Sequence, residues 1–90
     1  MMKFQQTGVG AVETRAAIRD TKGKGLLPVQ VSVTGACTYR LQGRISPDAP
    51  WITLKDAQAD PLLEAFSWVP YMRLEITSGD GTATMWIGEE

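Results

Sequence analysis

Val29–Ile45 reads VQVSVTGACTYRLQGRI, and its alternation decides the fold. Val29, Val31 and Val33 fall on one side, with Gln30, Ser32 and Thr34 on the other. Past the hinge Thr34-Gly35-Ala36, residues Cys37, Tyr39, Leu41 and Ile45 share a face against Thr38, Arg40, Gln42 and Arg44. A repeat of two suits a half-buried strand, because successive side chains of a pleated chain point to opposite sides. Tyr71–Thr77 and Thr82–Ile87, hinged at Ser78-Gly79-Asp80-Gly81, repeat the pattern. There Met72, Leu74 and Ile76, then Ala83, Met85 and Ile87, alternate inward, leaving Thr82, Thr84 and Trp86 outside. Each pair is expected to close on itself as a hairpin.

Working outward, Gly43 stands on the apolar face, which signals a bulge or a close approach. Trp51 is the expected occupant of that space. Ser46–Pro50 is a proline-bounded turn, and Trp51–Lys55 returns as a short strand carrying Ile52 and Leu54. Asp56–Ala65 breaks the alternation. Asp60-Pro61 is expected to cap one helical turn, pinned to the sandwich edge by Leu62, Leu63 and Phe66. Phe66–Val69 reads as an edge strand before Pro70. Upstream, Ala11–Ile18 fits a helix loosely and a strand better, and Thr21–Gly25 is a glycine-rich, charged turn. Leu26-Leu27-Pro28 leads into the first strong strand, where a proline is tolerated. Met1–Gly10 is polar, with Phe4 and Val9 as its apolar anchors. The expectation is an all-β chain: a single antiparallel β-sandwich or jelly-roll-like domain of six or seven short strands over residues 13–90, with an extended N-terminal arm over residues 1–12.

Ninety residues allow one core, and chains of this size bury only about 60–70% of their unfolded surface, so partners often supply the rest. The formal net charge is −1 with both signs interspersed, which argues against nucleic acid as a ligand. The basic cluster Arg15, Arg19, Lys22 and Lys24 is interrupted by Asp20 and reads as a solvated loop. MMKFQQTGVG lacks the apolar run of a signal peptide. No apolar stretch reaches the roughly 18 residues of a membrane helix, so no membrane partner is expected.

The chain has no histidine and one cysteine, Cys37. That excludes an internal disulfide, a His/Cys zinc set, a Ser-His-Asp triad and a Cys-His dyad. Glu75 with Asp80, and Asp56 with Asp60, read as turn formers and solvated acids, since a glycosidase needs one of its pair held protonated in a cleft. Asp48, Asp56, Asp60 and Asp80 lack the dense spacing of a calcium loop. The chain is expected to be no enzyme, with no cofactor and no metal. Trp51 is expected in the core. Trp68 and Trp86 are placed to stack on sugar rings or to be covered by a neighbouring subunit, and the second is favoured because aromatics concentrate at interface centres.

The middle and C-terminal parts resemble small virion proteins of tailed bacteriophages: a V-x-V strand, G-A-x-x-x-x-L-Q-G-R, W-x-x-L, then Y-x-R-L-x-I-T-S-G-x-G-T-A-T-x-W-I. Here these are Val31–Val33, Gly35–Arg44, Trp51–Leu54 and Tyr71–Ile87. The type includes capsid decoration (cement) proteins, head-fibre bases and tail or neck components. Ser46-Pro47-Asp48-Ala49-Pro50 departs from the type's usual D-G-G or D-G-S turn. The resemblance implies a virion protein, first a capsid decoration protein and alternatively a tail, neck or head-fibre component, made in a bacterial host's cytoplasm, that trimerises and binds the major capsid protein or another virion protein. A carbohydrate-binding sandwich is the alternative, with glycan as partner. Expected contact residues are Phe4, Trp68, Tyr71 and Trp86, with Arg40, Arg44 and Arg73 in ion pairs at the rim, and the arm Met2–Val12 reaching over a neighbour.

Overall fold

The alternating stretches are all strands in the computed structural model, which describes residues 2–19 and 25–88. There are eight: β1 (Met2–Thr7), β2 (Gly10–Glu13), β3 (Leu26–Thr34), β4 (Cys37–Arg44), β5 (Ile52–Gln58), β6 (Leu62–Ser67), β7 (Tyr71–Gly79) and β8 (Thr82–Ile87). They form two four-stranded sheets in the orders β1-β8-β3-β6 and β2-β7-β4-β5, with every pairing antiparallel. The all-β sandwich is as expected, with one or two strands more.

The pairing corrects the hairpins. β3 lies in one sheet and β4 in the other, and so do β7 and β8. Each expected hairpin is instead an arch that crosses from sheet to sheet. The two arches pair with each other: Val29–Thr34 runs against Ile87–Thr82, and Cys37–Arg44 against Gly79–Tyr71. They make one long ribbon bent over the core. β1 and β2 form a second bent strand pair along the β8/β7 side, and β6 and β5 a third along the β3/β4 side. Eight strands wrapped in this manner, in two facing sheets, are a jelly roll. Among the described residues, the only sequence-adjacent strands that pair are β4 and β5.

Glycines make the bend. Gly35 and Gly79 hold φ of +80° and +92°, a region that glycine enters without a Cβ clash. Gly81 N–H donates to the Ala36 carbonyl (2.9 Å), and Gly8 N–H to the Gly81 carbonyl (3.0 Å). A Cβ on Gly79 would stand 2.4 Å from Ala36 O, so the two arch tips touch backbone to backbone.

The inward residues behave as the alternation implies. Val29, Val31, Tyr39, Leu41, Met72, Leu74, Ile76, Ala83, Met85 and Ile87 are fully buried, and each large apolar side chain contributes about 1.5–3 kcal/mol of transfer free energy. Four expectations fail here. Ile45 is 71% exposed because β4 ends at Arg44, so its phase no longer counts. The space over Gly43 is taken by Val69 and Leu54, not Trp51. No helical turn follows Asp60-Pro61: among the described residues there is no helix, and Leu62 opens β6. Thr84 is buried at 8% exposure although it faces outward, because β8 is flanked by β1 and β3.

The N-terminal segment expected as an arm forms β1 and β2, and its hydrogen bonds go to its own domain. β1 pairs with β8 and β2 with β7. The strand expected over Ala11–Ile18 stops at Glu13. Beyond it Thr14 and Ile18 are still buried, and Ile18 N–H donates to the Pro70 carbonyl (2.7 Å). The glycine-rich turn expected at Thr21–Gly25 lies outside the described residues except for Gly25.

Candidate functional site

Two outer faces remain, and they differ in chemistry. On the β2-β7-β4-β5 sheet the outward residues form a polar lattice. Arg40 Nε donates to Glu75 Oε1, Arg73 Nε donates to Gln42 Oε1, and Gln42 Nε2 reaches Thr53 Oγ1 (3.4 Å). Arg44 Nη2 stands 3.8 Å from Glu13 Oε1. Trp51 lies among these groups: the Arg44 guanidinium is 4.1 Å from its ring centroid and that of Arg73 is 5.0 Å. A cation over an indole face contributes about 0.5–2 kcal/mol, more as the pair is desolvated. Arg44 Nε is buried with no hydrogen-bond partner, the one such atom among the described residues. The indole is therefore a spacer for two guanidiniums and not a core residue, which corrects the sequence-based placement. These arginines are held by Glu75, Gln42, Glu13 and the Trp51 ring, contacts that link β2, β7, β4 and the start of β5.

The outer face of the β1-β8-β3-β6 sheet is the opposite case. Lys3 is the only charged side chain among the outward residues of these four strands. A row Lys3–Trp86–Gln30–Leu63 crosses the sheet, set by the registers Lys3↔Trp86, Gln30↔Trp86 and Gln30↔Leu63. Lys3 Nζ stands 5.7 Å from the Trp86 ring centroid. Leu63 is 76% exposed and Leu26 56%, and Pro28 faces Ala65 between them. A shallow depression of about 190 Å³ lies among Pro28, Gln30, Leu63, Trp86 and Gly88. Toward the arches the face turns polar, with Thr7 and Thr82 hydroxyls 2.9 Å apart and Thr34 next in the row.

The seven expected contact residues are thus dispersed. Trp86 lies at the middle of the apolar face. Arg40, Arg44, Arg73 and half-buried Tyr71 lie on the opposite, braced face, where Tyr71 faces Arg44. Phe4 points inward against the core, and Trp68 packs on it too, its Nε1–H donating to the Ile18 carbonyl (3.0 Å). Both are part of the domain's own interior. Sequence reading missed Leu26, Pro28 and Leu63. The signal for Leu63 is obscured because Asp60-Pro61 suggests a helical turn through Leu62 and Leu63 and the edge strand is expected only from Phe66, which leaves the phase of Leu63 undefined.

Among the described residues no three His, Cys, Asp or Glu side chains gather as a metal site. Cys37 is buried and free. Tyr39 carries a buried phenol whose ionisation is disfavoured. Burial raises its phenol above the usual 10.0, a bond from Gln58 opposes this, and the Asp60 and Cys37 charges add to the rise. Its hydroxyl donates to the Asp60 carbonyl (2.6 Å) and ties down the β5–β6 connection. No protein-family model matches the chain, and neither a curated protein nor a solved structure matches it significantly.

Proposed function

We propose that this protein is a non-enzymatic structural subunit that associates with itself and lays the outer face of its β1-β8-β3-β6 sheet on a larger assembly, as a capsid decoration protein of a tailed phage does. The observation that carries the reading is the character of that face. It holds one charge, Lys3, around exposed Leu26, Leu63 and half-buried Trp86, while the opposite face has used its arginines on internal partners. Interfaces exclude charge from their centres and favour aromatics there. Jelly rolls build viral capsid proteins and also lectins, so the fold supports the reading as an analogy and the face supports it as chemistry.

The row through Trp86 also favours a second reading. An indole beside Gln30, in a depression open to solvent, has the stacking surface and hydrogen-bonding group that a sugar ring takes. Two measurements separate the readings. Titration of the full chain with a panel of oligosaccharides, followed by Trp fluorescence, should give no saturable change under the structural reading. Saturable binding by a monomer, abolished in Trp86→Ala, would give the protein to the sugar reading. The coding neighbourhood provides the independent check: adjacent major-capsid, portal or tail genes are expected, and genes of sugar metabolism would overturn the proposal.

A further inference from the structure

β6 is the exposed edge of the apolar sheet, and among the described residues no strand pairs with its outer side. The other three edges are guarded in ways that discourage pairing. β2 is only four residues long. β5 carries two register irregularities. β1 carries exposed Lys3. β6, sequence LLEAFS, has neither lysine nor proline, and its one charge, Glu64, is held by Lys55 at 3.1 Å. Pro61 and Pro70 bracket it, so any added strand is confined to this window.

The direction of its backbone groups follows from one bond. Trp68 N–H donates to the Gly25 carbonyl (2.8 Å), in step with the register Leu26↔Ser67. Bonded and non-bonded pairs alternate along an antiparallel ladder. The even-numbered residues of β6 therefore face β3, and Leu63, Ala65 and Ser67 turn their N–H and C=O groups to the open side. Two antiparallel copies of β6 can match sheet faces only with a residue on the two-fold axis, because opposed residues must point the same way. Centring on Glu64 sets two carboxylates opposite each other and leaves Ser67 without a partner. Centring on Ala65 places Ala65 against Ala65 as a bonded pair and Leu63 against Ser67 on both sides, so all three open residues are satisfied. It also joins the two apolar patches: Leu63 of each copy lands beside Ser67 and next to Leu26 of the other.

We propose that β6 pairs with β6 of a second copy of this chain about a two-fold axis at Ala65, fusing the two sheets into one of eight strands with a continuous apolar outer strip. This rests on the self-associating reading above and names its contact, a two-fold one where the family resemblance implied a trimer. An isologous contact of this kind closes on itself and does not propagate.

The test uses the full chain with Cys37→Ala. Opposed residues of a bonded pair lie about 5.5 Å apart at Cα, inside the range a disulfide spans. Ala65→Cys should oxidise to a covalent dimer, and a mixture of the Leu63→Cys and Ser67→Cys proteins should give the mixed dimer. Ala65→Pro removes the axial N–H, which faces away from β3, so circular dichroism should show the native fold while light scattering shows the dimer lost. A Leu63→Cys protein that links instead to Ala65→Cys would overturn the register. An oligomer that neither cross-links through these cysteines nor dissociates in Ala65→Pro would overturn the β6 contact and leave self-association standing. A monomer at every concentration would overturn both.

Discussion

Tyr39 shows how one side chain ties layers together. It sits on the inward face of β4, yet its hydroxyl reaches the Asp60 carbonyl and receives Gln58 Nε2 at 3.2 Å, fixing the path from β5 to β6. Because burial raises the folded-state pKa, folding favours the neutral phenol. Its contribution is then complete below the unfolded value near 10 and is lost as pH rises through the folded one. Denaturant unfolding followed from pH 8 to 11 should show stability falling above pH 10. Tyr39→Phe should flatten that fall while costing about 1 kcal/mol at neutral pH. Equal alkaline loss in both proteins would show the phenol is not the cause. Gly79→Ala should cost about 2 kcal/mol or more, since it combines a φ of +92° with a Cβ against Ala36 O. A thermal shift comparable to that of Gly8→Ala, where a Cβ meets nothing within 4 Å, would mean that strain alone and not the contact between arches sets the cost.

At the scale of elements, the alternation identified strands and buried faces but not which strands pair. Val29, Val31, Met72, Leu74, Met85 and Ile87 were all legible as core, because a period of two is local. Pairing is not local. Thr34-Gly35-Ala36-Cys37 has a glycine first in a two-residue link, the pattern of a tight hairpin turn, and only the phase of its flanks speaks against one, since that pairing sets inward Val33 opposite outward Thr38. The difference lies in the contact of Gly79 and Gly81 with Ala36, some forty residues away in the chain. β6 was illegible for another reason: Asp60-Pro61 imitates a helix start, while an edge strand has only one neighbour to impose its phase. Trp51 was misplaced since a tryptophan at a strand start reads as core, and its partners Arg44 and Arg73 meet only after β4 and β7 pair. The ribbon itself is testable. In a Cys37→Ala background, Ser32→Cys with Thr84→Cys should form a disulfide, as the two are opposed in the sheet. A hairpin would set Ser32 beside Tyr39 instead, so failure of this cross-link in a folded protein would contradict the arches.

The whole molecule has a radius of gyration of 12.3 Å, about that of a fully compact chain of this length. Its two outer faces differ: one is braced by Arg–Glu, Arg–Gln and Arg–Trp contacts, and the other is nearly uncharged, with an apolar patch around Trp86 and Leu63 and β6 as its open edge. Trp86→Ser should change unfolding free energy modestly, by about 1 kcal/mol, because the ring is only half covered within the domain. It should leave self-association through β6 unchanged, because β3 separates β8 from that edge. Chemical denaturation and analytical ultracentrifugation read the two quantities separately; weakened self-association would place the contact between copies on the outer face and contradict the β6 edge. The central claim is that this protein functions by being covered, and its most direct test is the molar mass in solution. Static light scattering across micromolar to millimolar concentrations should give a mass rising above the 9.8 kDa of one chain toward an integral multiple of it. A mass that stays at 9.8 kDa throughout that range would contradict the account.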